Sequence, residues 1–251
     1  MIKKVCLEIM KFKNPLSNEI HFHPVDEKTY HVIPCPKPAR NYLPKWYKDM
    51  PLFHNDEFKM DQHGSNVSAK ACVPFMDALT TGYIQETWCD IVIDTDLVGN
   101  VNYHSLPEFP IMHKRGYNKD QNTKVFVPED FYGDEFIWKV PWFPRTPKGW
   151  SSIFTHPLGR MDLPFYSMSG VVDTDKFWGS GGNYPFFIKK GFKGIIPTGT
   201  PMYQIIPFKR SDWNSKAIEH DEGNFLKMEF SVKKHVYGGY KKEYWNKKNY
   251  N

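Results

Sequence analysis

The amino-acid sequence predicts a mainly β protein with a sandwich-like core, short helices and an extended proline-rich arm. Aromatic residues make up 16% of its 251 residues, alongside 17 glycines and 20 prolines. Aromatic and β-branched side chains suit a pleated sheet, whereas proline and glycine interrupt helices and favour turns. We therefore expect short strands joined by many turns, in a single domain over residues 1–251.

Residues 1–50 are predicted to form a first strand and then the proline-rich arm. The N-terminal sequence "MIKKVCLEIMKFKNP" is basic and then apolar, but charged residues interrupt it and it has no small-residue cleavage site. It therefore predicts a strand and not a signal peptide. The prolines of "YHVIPCPKPARNYLPKWYKDMP" remove backbone donors and favour extended chain. We expect this arm to lie over the body or to reach a neighbouring subunit, with a short helix between Pro44 and Pro51.

The β core is predicted over residues 51–235, followed by a basic aromatic tail over residues 236–251. Within the core, "PFMDALTTG" is typical of a short helix that ends at Gly82, and "YIQETWCDIVID" alternates like one half-buried strand. Strands of the main sheet are expected in "SSIFTHPL", "PFYSMSGVVDTD" and "FFIKKGFKGIIPTGTPMYQIIPFKR". The tail is expected to close with a short helix.

Charge and cysteine content argue against several kinds of partner. The net charge is +5 and the lysines are spread along the chain outside its C-terminal end, whereas nucleic-acid binders concentrate them in a stripe. Four cysteines, at positions 6, 35, 72 and 89, form no CxxC pair, so neither a zinc site nor a disulfide framework is indicated. No apolar run approaches the roughly 20 residues that span a bilayer. We expect the chain to bind no membrane, metal or cofactor and to recognise no specific nucleic-acid sequence.

Two segments combine polar side chains with strand-like patterns. In "SGVVDTDKFW", Asp173 and Asp175 directly follow a branched aliphatic strand, and in "GTPMYQIIPFKR" Gln204 follows Gly199. A carboxylate on a rigid turn can bind a sugar hydroxyl or orient a water, and glycine lets the backbone approach a ligand. The alternative is an Asx-rich turn that hydrogen-bonds its own backbone, with Gln204 completing the hydrogen bonds of a loop.

These two segments resemble motifs of the dUTPase and dCTP-deaminase superfamily, whose fold is a β-clip. The resemblance implies that Gly170, Asp173 and Asp175 lie at the sugar of a nucleotide. It likewise implies that Gly199 and Gln204 lie beside the phosphates. A β-clip core and a nucleotide-binding or nucleotide-hydrolysing activity are the corresponding expectations.

The match to that superfamily is incomplete along the chain. Tyr83 and Asp90 in "TGYIQETWCDI" only loosely match its Gly-Tyr-Asp strand. Lys176 and Phe177 stand where the superfamily has a stacking tyrosine. The Ser-Gly phosphate motif and the glycine-rich C-terminal arm of the superfamily are absent from this sequence.

A second resemblance extends over about residues 30–250. The segments "PARNYLPKWYKDMP", "CVPFMDALTTGYI", "TPKGWSSIFTHPL", "SGVVDTDKFW", "GTPMYQIIPFKR" and "YKKEYWNKKNY" resemble an uncharacterised family found in tailed bacteriophages and some bacteria. This resemblance implies a phage origin and carries no activity with it.

Other polar clusters offer further candidate sites. His156, Arg160 and Asp162 lie close together in the apolar context of "FTHPLGRMDLP", where buried polar groups need partners. They form either a ligand site or an Arg-Asp pair that fixes a turn. His21 and His23 in "HFH" lack a third metal ligand nearby.

One further metal pattern involves residues far apart in the sequence. His54 and Asp56, followed by His156 and Arg160, match the His-x-Asp, His and Arg order of Fe(II)/2-oxoglutarate oxygenases. The segment "FHNDEFKMDQHG" resembles a polar loop, which argues against this pattern.

The leading functional expectation is a non-catalytic, oligomerising phage protein that forms a decoration, neck or tail component of the virion. No nucleophile elbow, P-loop or Gly-x-Gly-x-x-Gly motif is present, so no catalytic residue is nominated. The expected partners are further copies of the chain or other phage structural proteins, in the virion or the host cytoplasm. The alternatives are a nucleotide-binding or nucleotide-hydrolysing dUTPase-like enzyme and an Fe(II)/2-oxoglutarate-type oxygenase. The candidate ligand-binding residues are Asp173, Asp175, Gln204, His156 and Arg160.

Overall fold

The computed structural model describes residues 14–55, 57–61, 64–95, 101–106, 108–115, 128–179 and 182–251. The strands in chain order are β1 (His21–Pro24), β2 (Lys37–Pro38), β3 (Met60–Asp61), β4 (Gly64–Ser65), β5 (Tyr83–Glu86), β6 (Ile91–Thr95), β7 (Val101–His104), β8 (Met112–Lys114), β9 (Phe136–Lys139), β10 (Trp142–Arg145), β11 (Trp150–Thr155), β12 (Phe165–Ser167), β13 (Gly170–Val172), β14 (Asn183–Ile188), β15 (Gly194–Ile196) and β16 (Pro201–Lys209). The helices are α1 (Glu27–Val32), α2 (Lys45–Asp49), α3 (Val73–Thr80), α4 (Glu222–Lys233) and α5 (Gly239–Glu243).

The described strands pair antiparallel throughout. A five-stranded sheet has the order β13-β11-β16-β5-β2, and a four-stranded sheet has the order β12-β14-β9-β8. A three-stranded sheet, β15-β6-β7, and the pairs β1-β10 and β3-β4 complete the pattern. The prediction of a mainly β protein with a few short helices is confirmed.

One hydrophobic core joins the three larger sheets. Fully buried side chains come from the five-stranded sheet (Tyr203), the four-stranded sheet (Trp138 and Phe186) and the three-stranded sheet (Ile93). The rings of Trp138 and Phe186 stack with centroids 3.6 Å apart. Each of these rings brings a large apolar area into the core. Part of the high aromatic content of the sequence thus lies in the core, while other aromatic side chains are exposed.

The segment "YIQETWCDIVID" forms two strands and not the single strand predicted. The chain leaves the five-stranded sheet after β5 and enters the three-stranded sheet at β6. Between them the Thr87 N–H donates to the Thr200 carbonyl at 2.8 Å, and the Thr87 carbonyl accepts from the Gly199 N–H at 2.8 Å. The Thr198 N–H and hydroxyl both donate to Asp90 Oδ1, at 2.7 and 2.8 Å. These bonds anchor the corner to the turn that contains Gly-Thr-Pro.

The proline-rich segment lies on the body of the molecule. Strand β2 pairs with β5 at the edge of the five-stranded sheet, where proline is tolerated because no further strand needs its missing donor. Ala39 and Tyr47, which follow it, are buried. The helix predicted between Pro44 and Pro51 is present as α2, with Pro44 as its N-cap residue.

Other elements can be compared with their sequence patterns. The helix predicted in "PFMDALTTG" is confirmed as α3, and Gly82 follows its C-cap residue with a φ of 72°. The predicted tail helix corresponds to α5, while α4 lies where the pattern predicts the end of the β core. The predicted first strand falls mainly on residues 1–13, outside the described residues. Within the described chain, no helix has the length and apolar character needed to cross a bilayer.

Candidate functional site

Asp173 and Asp175 bind the chain's own Arg210. The Arg210 guanidinium donates to both carboxylate oxygens of Asp175, with Nη1 2.9 Å from Oδ1 and Nη2 2.5 Å from Oδ2. The Gly149 N–H also donates to Asp175 Oδ2 at 2.8 Å. Asp173 Oδ1 accepts from the Ser151 hydroxyl at 2.7 Å and from Arg210 Nη1 at 3.1 Å. The turn after β13 is thereby tied to the end of β16 and to the start of β11.

The electrostatics of this cluster favour fixed charges. The Arg210 hydrogen bonds and the Gly149 N–H hold the pKa of Asp175 below its usual range. The hydrogen bonds and charges of Asp175 and Asp173 raise the pKa of Arg210. Both shifts favour the ionised forms of Asp175 and Arg210. A carboxylate held in this way is a poor general base, because its proton affinity is reduced. Its oxygens are also already occupied by donors of the protein.

Gln204 is a buried connector between three elements. Its amide nitrogen donates to the Ala78 carbonyl at 3.1 Å and to the Thr81 carbonyl at 2.5 Å, at the C-terminal end of α3. Its amide oxygen accepts from the Leu158 N–H at 2.8 Å. The side chain supplies hydrogen-bond partners for backbone groups at the end of the helix and in the loop after β11. These contacts correspond to the alternative in which Gln204 completes the hydrogen bonds of a loop.

His156, Arg160 and Asp162 form a second internal cluster. His156 Nε2 lies 2.9 Å from the Arg160 carbonyl, and Nδ1 lies 3.3 Å from the Ser167 N–H. Arg160 makes a two-pronged contact with Asp162, with both N–O distances at 2.8 Å, and reaches the Tyr42 carbonyl at 3.3 Å. The cluster contains the Arg-Asp pair that the sequence offered as one of two alternatives.

Burial and charge set the ionisation of this second cluster. Burial lowers the pKa of His156, because the charged imidazolium loses more solvation than the neutral ring. Burial alone would raise the pKa of Asp162, but the hydrogen bonds and charge of Arg160 outweigh it and lower that pKa. The neutral His156 ring thus donates from Nε2 to a carbonyl and accepts at Nδ1 from an N–H.

The residues predicted to share one nucleotide site lie apart. Asp173 binds Ser151 on β11, whereas Gln204 pairs in register with Thr155 at the other end of the same strand. Four residues of strand correspond to about 13 Å. Asp173, Asp175 and Gln204 therefore do not converge on one point.

The metal hypotheses can be compared with the structure residue by residue. Both ring nitrogens of His156 are occupied by backbone partners. Asp56 lies outside the described residues, and His54 is exposed in a turn. His21 contacts Glu19 at 3.2 Å, and the His23 ring lies against Trp178. Among the described residues, no group of three or more His, Cys, Asp or Glu side chains could hold a metal.

Two cavities lie near these clusters. An open cleft of about 770 Å³ is lined by Arg160, Lys189, Lys190 and Gly199, among others, but not by Asp173, Asp175 or Gln204. Two of its cations are engaged within the chain, since Arg160 binds Asp162 and the Lys189 ammonium donates to the Met161 carbonyl. A smaller chamber of about 250 Å³ lies beside β11, β13 and β14. We call it the inter-sheet chamber and define its walls below.

Many of the exposed large apolar side chains of the described residues lie outside both cavities, on residues 211–244, which we call the C-terminal arm. All of residues 211–221 are exposed, and within them Trp213 and Ile218 are each 89% exposed. Helix α4 follows and has no buried residue. Phe225, Leu226 and Phe230 on this helix are each more than half exposed.

The C-terminal arm returns to the body at two places. The Tyr237 ring, between α4 and α5, packs edge-on against Phe53 with centroids 5.6 Å apart. Beyond α5, the Trp245 indole N–H and the Lys248 ammonium both bind Asp77 Oδ2, at 2.9 and 2.7 Å. The arm therefore leaves the body after Arg210, which is bound to Asp175, and contacts the body again at Tyr237 and beyond α5.

Sequence reasoning missed Arg210, Gly149 and Ser151 as partners of the aspartates. Arg210 ends the "IIPFKR" segment, and its position at the end of the last strand of the sheet was the available signal. The pairing of β11 with both β13 and β16 brings these residues together, and that pairing cannot be read from one strand alone.

Comparisons with known proteins show no family for this chain. No protein-family model matches this chain, and no curated protein matches it. Among solved structures, a mutant dUTPase from phage phi11 of S. aureus is similar at 16% sequence identity over 45% of this chain and 99% of that chain, with a TM-score of 0.24. A likeness at this level carries no argument about activity, and the mainly β assignment rests on the strands described above.

Proposed function

We propose that this chain is a non-catalytic protein that associates with further copies of itself, as a structural component of a phage particle. The observation that carries the proposal is the C-terminal arm. A helix in a lone globular domain normally buries one apolar stripe, whereas α4 buries none of its residues. Its large apolar side chains are consistent with a surface that another chain covers.

The size of the exposed surface supports association. Trp213, Ile218, Phe225, Leu226 and Phe230 are all more than half exposed. A large apolar side chain covers on the order of 150 Å² when buried, so five of them approach the ~800 Å² that one partner contributes to a standard interface. Aromatic residues are also enriched at such interfaces, as they are here.

The polar clusters support a structural role for the residues that sequence patterns nominated as ligands. Asp175, Gln204 and His156 each bind at least two partners from other parts of the chain. A ligand would have to displace those partners, which costs hydrogen bonds in a buried setting. The resemblance to a tailed-phage family, given by the sequence segments quoted above, supports the phage context.

Self-association is tested by measuring the mass of the purified chain across a dilution series with light scattering. We expect a mass above the 29.5 kDa of one chain that falls on dilution. The double variant Phe225→Glu with Phe230→Glu is expected to stay at the mass of one chain, since both residues are exposed and the fold does not need them. The matched control is Met161→Glu, which changes an exposed apolar residue outside the arm and leaves the association unchanged.

A constant mass of one chain up to about 100 µM would contradict self-association, since biologically useful homomeric contacts are tighter than that. The phage context has a separate test in mass spectrometry of purified particles from an infected culture. Absence of the chain from particles would remove the virion assignment and leave self-association standing.

A further inference from the structure

The inter-sheet chamber is an apolar cavity that is partly open to solvent. Its walls include Val140, Phe143, Phe154, Val172, Phe177 and Tyr184. The Tyr184 and Thr174 hydroxyls at these walls are engaged, because Tyr184 donates to the Met168 carbonyl and Thr174 pairs with the hydroxyls of Thr146 and Ser152. An apolar cavity of this kind holds water poorly and readily accepts an apolar ring.

The volume of the chamber indicates the size of its occupant. A cavity of about 150 Å³ accepts benzene, which has six ring atoms. An indole has nine ring atoms, which scales to about 225 Å³. The chamber measures about 250 Å³ and therefore suits an indole ring.

The chain itself carries an exposed indole on an extended segment. Trp213 lies three residues after Arg210 in a run of exposed residues that has no helix or strand. Tryptophan at this exposure is uncommon on a lone domain and frequent in interfaces. In its own chain Trp213 is 89% exposed, so it does not occupy its own chamber.

We propose that Trp213 of one copy inserts its indole ring into the inter-sheet chamber of a second copy. This contact rests on the self-association proposed above and names the surface that carries it. A buried tryptophan in a fitted pocket is a typical energetic centre of an interface.

Groups beside the chamber fit the residues around Trp213. Phe177 lines the chamber and is half exposed, and Lys176 precedes it in the chain, while Asp212 precedes Trp213. The two charges are opposite, which favours seating the indole beside Phe177. Asn183 also lines the chamber, and its side-chain amide makes no hydrogen bond to any described residue, so its oxygen can accept the indole N–H.

Two matched pairs of variants test this contact by their association constants. Trp213→Ala is compared with Met161→Ala, because Met161 is a similarly exposed apolar residue, at 85%, outside the C-terminal arm. Val172→Phe fills the chamber, and Val171→Phe adds the same ring on the opposite, exposed face of β13. We expect Trp213→Ala and Val172→Phe to raise the dissociation constant at least tenfold, and each control to stay within about twofold of the wild type.

A mixing experiment separates exchange between chains from an effect within one chain. Trp213→Ala retains an intact chamber, and Val172→Phe retains an intact tryptophan. Mixed in equal amounts, they are expected to form pairs that neither forms alone, observed by native mass spectrometry of one isotope-labelled and one unlabelled chain. Circular dichroism and a melting curve check that Val172→Phe is folded, and Trp213→Ala alone keeps the test decisive if it is not.

The outcomes distinguish this contact from the proposed function. Association that persists unchanged in Trp213→Ala overturns the Trp213 contact and leaves self-association intact. A wild-type chain that remains monomeric overturns both. A monomeric wild type whose chamber residues shift in NMR spectra on addition of free indole would assign the chamber to a small aromatic molecule and likewise overturn the contact between copies.

Discussion

Asp173 and Asp175 are neighbours in sequence with different exposure to solvent. The Asp175 carboxyl is 4% exposed and accepts three hydrogen bonds from Arg210 and Gly149, while the Asp173 carboxyl is 52% exposed and accepts two. Removing one partner of a buried ion pair costs more than breaking an exposed pair, because it leaves an uncompensated buried charge, whereas solvent screens the exposed pair. The two residues therefore play unequal parts in one cluster.

Asp175→Asn is expected to lower the free energy of unfolding by about 1–3 kcal/mol at pH 7, because charge-assisted hydrogen bonds are lost. Urea unfolding followed by circular dichroism measures the change. Asp173→Asn is the matched control, with an expected loss below about 1 kcal/mol, as for other exposed pairs. Equal losses in the two variants would contradict the assigned roles.

The pH dependence of this difference follows from the lowered pKa of Asp175. The folded-state pKa lies below the ordinary value of 3.8, so the ionised pair contributes fully above that pH. The contribution is lost as the pH falls through the folded-state pKa. The gap between wild type and Asp175→Asn is therefore expected to close in acid below about pH 4.

His156 gives a second pH dependence, at higher pH. Burial lowers the pKa of His156 below the ordinary value of 6.5. As the pH falls below about 6.5, the histidine is therefore protonated more readily in the unfolded chain than in the folded chain. Stability is then complete above about pH 6.5 and decreases as the pH falls, by at most about 1.4 kcal/mol per pH unit. His156→Gln should flatten the change in the urea midpoint between pH 7 and pH 5. An unchanged slope in the variant would show that other groups cause it.

At the scale of elements, Gln204 connects strand β16 to the end of helix α3. Its amide binds the Ala78 and Thr81 carbonyls and the Leu158 N–H, and the side chain is 1% exposed. Gln204→Leu keeps the volume but leaves three backbone groups without partners. We expect a loss of at least about 3 kcal/mol in the free energy of unfolding, since each of the three unpaired buried groups costs about 1–3 kcal/mol.

The location of that damage gives a sharper measurement. Hydrogen exchange of the α3 amides is expected to accelerate more than exchange in the β9-β14 pair, which does not contact Gln204. A uniform acceleration across the chain would indicate a general loss of stability instead of a lost connection.

Sequence patterns predicted elements well where local rules decide them. Helix α3 ends before Gly82, whose φ of 72° suits glycine, and β16 follows from a run of strand-forming residues. The division of "YIQETWCDIVID" into β5 and β6 was not predictable, because it depends on bonds from Thr87 and Asp90 to residues 197–200, more than a hundred positions away. Helix α4 was missed because its apolar residues do not form a single stripe facing the core.

The same contrast holds for the candidate site. The polar residues of the aspartate, glutamine and histidine clusters were visible in the sequence, but their partners were not. Arg210 reaches Asp175 because β13 and β16 lie on either side of β11. Spacing along the chain shows that a polar group exists, and sheet order decides whether a ligand or another part of the protein binds it.

At the scale of the whole molecule, Asp77 fixes the C-terminal end to the body. It accepts from the Trp245 indole at 2.9 Å and from the Lys248 ammonium at 2.7 Å. The last residue, Asn251, also binds Arg40 at 3.0 Å, and the Tyr250 ring packs on Tyr83. The C-terminal arm is thus held at its end while its apolar residues remain exposed.

Asp77→Ala is expected to release the last residues of the chain without unfolding the core. Lys247 and Lys248 should then be cut by trypsin at least several-fold faster than in the wild type, since cleavage tracks the population of the open segment. Mass spectrometry of a digestion time course measures the rate. Asp49→Ala is a suitable control, because Asp49 pairs with Lys45 on the exposed surface of α2, away from the tail.

Association should respond to the same change in a defined way. If the fixed end of the arm orients Trp213 and α4 for a second copy, Asp77→Ala weakens association as well as exposing the tail, because a freed arm loses more conformational entropy on binding. Faster cleavage with unchanged association would show that the arm binds independently of its anchor. Unchanged cleavage would show that the Tyr250 and Asn251 contacts hold the tail by themselves.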